Sequence, residues 1–475
     1  MAKLIQHDVK KTLFRMAFPM LAGTVAMNAY NLVDTWFVSK LGTIPLAAMG
    51  FTFPVVMLFT FIAGGIGTGV TTLTSHAIGR ADKTTAARIV THGVILIAFI
   101  SALLSVAGYL SIDPIFTRLG ADENTLPFVK GYMRTWYAGA VFMAFPMMGN
   151  GILIALGDSK SASRFMVTGA LVNCVLDPVL IFGLLGFPAL GIFGAALATV
   201  IAQAVSSIWL FVLLTVKHRH LHLRHPEFIS FIASCRRIMG FAIPGSISMV
   251  LMPISSAVIT ALISRHGNEA VAAAAAAGRV EMFAFVIPMA LGISLVPFVS
   301  QNFGAGRFDR IHEAKIYATR FAFFYGIFIA CAFYATAPLL AGIFTTDDTV
   351  TRIFILYIHT IAFGYGMMEI HRYGGFFLTG IHRPVSATIL NAARVLGLLI
   401  PLSFLGNSYW GIQGIFSGRL ATDLTAGAIA LAWVSAVLKS RKRAGAEIVE
   451  GAATPANRAA YILNAGNEGA QEVKN

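Results

Sequence analysis

The chain has 475 residues, of which 57% are hydrophobic and only 12% charged, and its mean hydropathy is +0.76. A soluble domain carries about 25% charged residues, so this much apolar side chain calls for lipid around it. The formal charge of +14 invites nucleic acid, but the cations lie in short loops between apolar runs, with no soluble module to track a phosphate backbone; nucleic acid is not an expected partner.

Apolar runs of at least the ~20 residues that a helix needs to span a bilayer fall at 13–39, 46–75, 87–112, 128–156, 162–185 and 189–216. A basic stretch follows, and six more runs fall at 238–264, 270–300, 313–344, 352–379, 384–405 and 410–438. The expected fold is an all-α polytopic membrane protein with twelve transmembrane helices in two six-helix bundles. The expected units are an N-terminal lobe at 1–216, an inter-lobe linker at 217–237, a C-terminal lobe at 238–439 and a polar, disordered tail at 440–475. The first apolar run is too long for the core of a cleavable signal, so it is read as a retained helix.

Cations are placed unevenly. Lys10, Lys11, Arg15, Arg80, Lys83, Lys160, Arg236, Arg237, Arg307, Arg310, Lys439 and Arg441 fall on one side of the twelve-span scheme. Lys40, Arg118, Lys130, Arg265 and Arg352 fall on the other, interspersed with Asp113, Asp122 and Asp347. The positive-inside rule then puts both termini and the linker in the cytoplasm of a cell whose plasma (inner) membrane holds the chain.

The two halves are related. A shift of 225 residues places Pro19 on Pro244, Gly42 on Gly267, Gly67 on Gly292 and Gly79 on Gly304. Gly157 on Gly380 and Pro178 on Pro401 need a shift of 223, and Gly191 on Gly411 a shift of 220. Each half has an even number of spans, so both copies run in the same direction and are related by a pseudo-two-fold axis along the membrane normal. Secondary transporters share this architecture, with a central site exposed alternately to either side.

Charges inside a span cost a few kcal/mol each on insertion scales, so those that persist are paired or functional. Asp34 follows Tyr30 and Asn31 by about one helical turn. Asp177 follows Asn173 by four residues, and the same combination of amide and carboxylate therefore occurs twice. Both acids are expected about 30 and 23 Å above the starts of their helices, at 1.5 Å per residue, within reach of a shared pocket. Desolvation and mutual repulsion disfavour two bare charges there, so the pocket is expected to take up H⁺ or Na⁺. The duplicated positions are Ile259 and Ile400, which confines the acids to the first lobe. The bland alternative is that each Asp only bonds a neighbouring helix.

Pro19 and Pro244 sit inside their helices and mark candidate hinges. Glu369 with Arg372, and Arg279 with Glu281, are close enough for pairing within one helix, with Glu369 and Arg279 as candidate substrate contacts in the second lobe. His218, His220, His222 and His225 read as part of a solvated basic loop rather than a metal tract. Cys174, Cys235 and Cys331 lack metal or disulfide spacing. There is no phosphate-binding loop of the G-x-x-x-x-G-K type, no catalytic constellation and no expected cofactor or metal centre beyond the coupling ion.

Taken together, Tyr30-x-x-x-Asp34 with Gly42, Leu156-Gly157-Asp158-Ser159-Lys160, Asn173-x-x-x-Asp177-Pro178, Gly278-Arg279-Val280-Glu281 and Gln301-Asn302-Phe303-Gly304-Ala305-Gly306-Arg307 resemble the multidrug and toxic compound extrusion (MATE) family, especially its DinF-like branch, over about residues 10–440. The resemblance implies a V-shaped bundle that exports organic, often cationic compounds in exchange for H⁺ or Na⁺. It carries Tyr30, Asp34, Asn173 and Asp177 into an N-lobe pocket, with Asn31, Asn150 and Thr199 around it. Other branches place an acid eight residues beyond the seventh-span proline, where this chain has Met252. A flippase or exporter of a lipid-linked or other endogenous metabolite is the competing expectation; small-molecule substrates and the bilayer are the expected partners of a monomer.

Overall fold

A computed structural model describes residues 3–217 and 228–451, and among them every regular element is helical. Twelve spanning segments follow in chain order. In the first half they are α1 (Val9–Ser39), α2 (Thr43–Gly79), α3 (Lys83–Leu110), α4 (Leu126–Ala138 and Ala140–Ala155), α5 (Ser159–Phe182) and α6 (Gly191–Lys217). In the second half they are α7 (Phe228–Ile263), α8 (Asn268–Gly304), α9 (Phe308–Phe344), α10 (Asp348–Gly380), and the stretch from Pro384, which divides at Trp410 and Gly411 into α11 and α12. The linker histidines and the last 24 positions of the expected tail, 452–475, lie outside the described residues; the helix of α12 itself continues to Gly451.

Several helices overrun their expected bounds because polar residues extend a helix past the bilayer. At 37 residues, α2 is about 55 Å long at 1.5 Å per residue, well beyond the ~30 Å hydrocarbon core. Four of the helices, α1, α3, α5 and α10, start at aspartate caps. Asp8 accepts from Lys11 N (2.8 Å), Asp82 from Thr85 N (2.9 Å), Asp158 from Ser161 N (3.1 Å) and Asp347 from Val350 N (2.8 Å). Each such cap satisfies a donor the helix leaves open and contributes about 1 kcal/mol. The fourth span is not one straight rod: it bends by 57° at Gly139.

The duplication is visible in the backbone. Gly42 and Gly267 have φ of 110° and 101°, Ala81 and Gly306 60° and 69°, and Gly191 and Gly411 56° and 57°. One pairing read from the sequence shifts. Gly157 (φ 74°) corresponds to His382 (φ 63°), not to Gly380. The turn bonds agree, since Asp158 N donates to Leu153 O and Arg383 N to Leu378 O. The offset of 225 therefore persists to the start of α5 and α11, and the deletion falls inside that helix pair. A glycine match misled here because the second copy tolerates a left-handed histidine. By helix start, the counterpart of Asp177 becomes Leu402, as apolar as Ile400.

Both described chain ends lie at one face, which carries the cation-rich loops and is called the basic face below. The lobes meet there. One apolar core is continuous across both lobes, and its second-lobe members, such as Ile238, Leu295, Phe298, Phe377 and Val434, all belong to the half near the basic face. The other half of the second lobe has a separate core around Ala273, Phe354 and Phe416 with no first-lobe member. A cleft between the lobes thus opens away from the basic face.

The Gln301–Arg307 motif is the lock at the closed end. Gln301 Nε2 donates to Ala155 O (2.6 Å) and Ser300 Oγ to Thr72 O (2.7 Å). Arg310 holds Asn302 Oδ1 at 2.9 Å and the Leu4 and His7 carbonyls at 3.2 and 2.5 Å, tying α9 to the segment before α1. Gly79 and Gly304 permit the approach, because a Cβ on either would collide with the Gln301 or His76 carbonyl of the facing helix.

Candidate functional site

In the first lobe α1 packs along α5, and α5 along α6, which brings the two amide-carboxylate turns to adjacent helices. Asp177 is fully buried, Asn173 and Thr199 nearly so, and Asp34 is 6% exposed. With its amide nitrogen toward the carboxylate, Asn173 donates to Asp177 Oδ2 at 3.0 Å, and its oxygen accepts from the Thr199 hydroxyl at 3.3 Å. The α5 turn therefore continues onto α6. Tyr30, half-buried on α1, hydrogen-bonds Thr199 through its hydroxyl and lies within electrostatic reach of both acids. Asp34 and Asp177 also act on one another through space.

Asp34 Oδ1 is buried with no hydrogen-bond partner. An acceptor in that state costs about 1–3 kcal/mol, more if charged, and a proton or a bound cation removes the cost. Tyr132 of α4 is a member that the sequence reading missed: it is buried and within electrostatic reach of Asp34, Asp177 and Tyr30. A tyrosine among Trp136 and Tyr137 on an apolar span gives no sequence signal distinguishing it from packing.

Not every expected residue joins this pocket. Asn31 is exposed and donates back to Met27 O at 2.9 Å, so it points away from Asp34. Asn150 lies past the bend of α4, nearer the basic face, with Oδ1 buried and unbonded. Pro19 and Pro244 sit in helices without a non-helical residue at either position, and Thr388 Oγ1 donates to the Pro244 carbonyl at 2.7 Å, which binds α7 to α11.

The second lobe departs from the expected pairing within α8. Glu281 does not pair with Arg279, which is exposed; it forms an ion pair with Arg419 of α12 and accepts from the Tyr357 hydroxyl at 2.7 Å. Arg279 and Glu281 are two residues apart, about 200° around a helix, and so face opposite ways. Arg419 also donates to Tyr357 (2.6 Å) and approaches Asp423 at 3.9 Å, while Arg394 donates to Asp423 at 2.6 Å. Two cations and two acids thus neutralise one another. Glu369 is 1% exposed and lies 3.2 Å from Arg372 as expected; Arg372 also sits 5.1 Å over the Phe285 ring.

The contrast between lobes defines the site. Each buried acid of the second-lobe spans (Glu281, Glu369 and Asp423) has a guanidinium partner; among the described residues Asp34 and Asp177 have no cation, and Asp177 has the Asn173 amide. A two-lobed, duplicated membrane bundle, closed at one face and holding an acid pocket in one lobe, is a secondary transporter in architecture. The MatE family profile matches residues 19–179 and 244–405, one copy per lobe, and the chain belongs to the MATE family of transporters.

Among its relatives, an FAD transporter of Shewanella oneidensis is 35% identical over 427 residues, 89% of this chain and 94% of that protein. The probable multidrug resistance protein YoeA of Bacillus subtilis is 24% identical over 441 residues, 88% of this chain and 91% of that one. Among solved structures, the Vibrio cholerae MATE transporter VcmN in its bent form superposes with a TM-score of 0.87 at 29% identity, covering 91% of this chain and 98% of that one. An outward-facing multidrug resistance MATE transporter gives 0.86 at 26% identity, covering 93% and 98%.

Proposed function

We propose that the chain is an ion-coupled efflux antiporter of the plasma membrane, with the basic face and both termini in the cytoplasm, acting as a monomer. H⁺ or Na⁺ binds at Asp34 and Asp177; binding biases the lobes between outward- and inward-open states, and an organic cation competes for the same carboxylates. Equal affinity in both states would shift nothing, so coupling requires the pocket to hold its ion more tightly in one of them. The observation that supports this reading is the uncompensated first-lobe pair, with Asp34 Oδ1 buried and unbonded beside an Asp177 already bonded to Asn173. What sets the pair apart is the missing cation: Asp423 also has an unbonded Oδ2, but its other oxygen is held by Arg394, whereas among the described residues no Lys or Arg pairs with Asp34 or Asp177.

The test is ethidium efflux from drug-sensitive bacteria expressing the parent, Asp34→Asn and Asp177→Asn. Loss of efflux in either variant at parental expression supports the reading; parental efflux in both refutes it.

A second reading, export of a flavin dinucleotide, is favoured by the 35% identity to the S. oneidensis FAD transporter. Such a substrate brings a pyrophosphate and flat rings, which Arg372 over the Phe285 ring would contact in exchange for its ion pair with Glu369. Secretion of flavin into the medium, measured by fluorescence alongside ethidium efflux, separates the two substrates.

A further inference from the structure

On the outer surface of the seam, α1 of the first lobe and α8 and α9 of the second enclose a lateral groove of about 550 Å³. Its floor is made by small residues, Ala17, Ala290 and Ala318, and its walls by aromatics such as Phe18 and Phe324, 79% and 66% exposed. The charge is confined to one end. Lys10 near the start of α1 and Arg320, near the basic-face end of the α9 stretch that lines the groove (Tyr317–Phe328), supply the charge, and no carboxylate lines it. From Lys10 to Leu21 the groove follows eleven residues of α1, about 17 Å at 1.5 Å per residue, roughly one leaflet of a ~30 Å hydrocarbon core.

We propose that this groove is a binding site for an anionic phospholipid, with an acyl chain along the alanine floor and the phosphate between Lys10 and Arg320. An apolar slot one leaflet deep, with two cations at its interfacial end, matches that ligand in length and charge, whereas a zwitterionic lipid gains less from the cations. The lipid touches both lobes at once. Placing it in the cytoplasmic leaflet rests on the orientation read above, but binding to the purified protein does not depend on orientation or on transport. A failed binding test therefore removes the groove site and leaves the efflux reading standing.

The experiment is native mass spectrometry of the full chain in detergent, titrated with phosphatidylglycerol and phosphatidylcholine of the same acyl chains. The expected preference for phosphatidylglycerol is on the order of thirtyfold from two interfacial cations. It falls to near parity in Lys10→Ser/Arg320→Ser, persists in the charge-keeping Lys10→Arg/Arg320→Lys, and persists in Lys83→Ser/Arg88→Ser, which removes cations elsewhere on the basic face. The Ala17→Trp variant, which fills the floor, loses tight binding of phosphatidylglycerol. Equal binding of the two lipids by the parent overturns the proposal, as does a preference unchanged in Lys10→Ser/Arg320→Ser. The charge-keeping variant separates a lost site from a lost fold.

Discussion

Thr199 is the residue on which the first-lobe pocket turns, because it joins Tyr30 of α1 to Asn173 of α5 from a third helix. Replacing it with valine keeps the shape and removes the hydroxyl. The loss of its bonds to Tyr30 and Asn173, about 2 kcal/mol at ~1 kcal/mol each, should weaken organic-cation binding about thirtyfold without unfolding the protein, as read by fluorescence titration of the purified variant. Outside the membrane, Asp158 caps α5 and meets Lys217 at 2.6 Å. Burial pushes its carboxyl up, but the bonds from Lys217 and Ser161 prevail and hold it at about 2, below the usual 3.8. Its folded form is thus favoured by ionisation, and that stability is present above pH about 4 and lost as pH falls toward 2. Asp158→Ala should cost about 1 kcal/mol and remove this part of the acid sensitivity, while Asp158→Asn keeps the cap and loses only the ion pair. Thermal melts in detergent from pH 5 to pH 2 compare the three proteins.

At the scale of helices, packing at the basic face depends on glycines without side chains. Gly79→Leu or Gly304→Leu would drive α2 and α8 apart where they now touch. The expected result is a shift of the lobes away from the state closed at the basic face, seen as longer and broader distances between spin labels at the basic ends of α2 and α8. Within the second lobe, Glu281→Ala leaves Arg419 with one acid fewer in a buried cluster, which should cost on the order of 3 kcal/mol. The same elements show what the sequence made legible. Apolar runs of spanning length located the spans, since they are a local signal. The bend at Gly139 and the α8–α12 ion pair were not legible, because the first is set by packing against the neighbouring helices and the second joins residues 138 positions apart. Tyr30, Asp34, Asn173 and Asp177 were legible as a group because each pair lies within one helical turn; Tyr132 and the outward turn of Asn31 were not, since both depend on how the helices are rotated.

For the whole molecule, the two lobes share a scaffold and differ in charge. The buried acids of the second-lobe spans are balanced by guanidinium groups, whereas in the proposed mechanism the first-lobe pair changes its charge with the ion it binds. In the proposed mechanism this asymmetry couples ion occupancy to the position of the lobes. The most direct measurement is the affinity of purified protein for tetraphenylphosphonium as a function of pH and of Na⁺ concentration, in the parent and in Asp34→Asn/Asp177→Asn. The account predicts that affinity in the parent falls as H⁺ or Na⁺ rises and that the double variant loses this dependence. An ion dependence that survives unchanged in the double variant would contradict it.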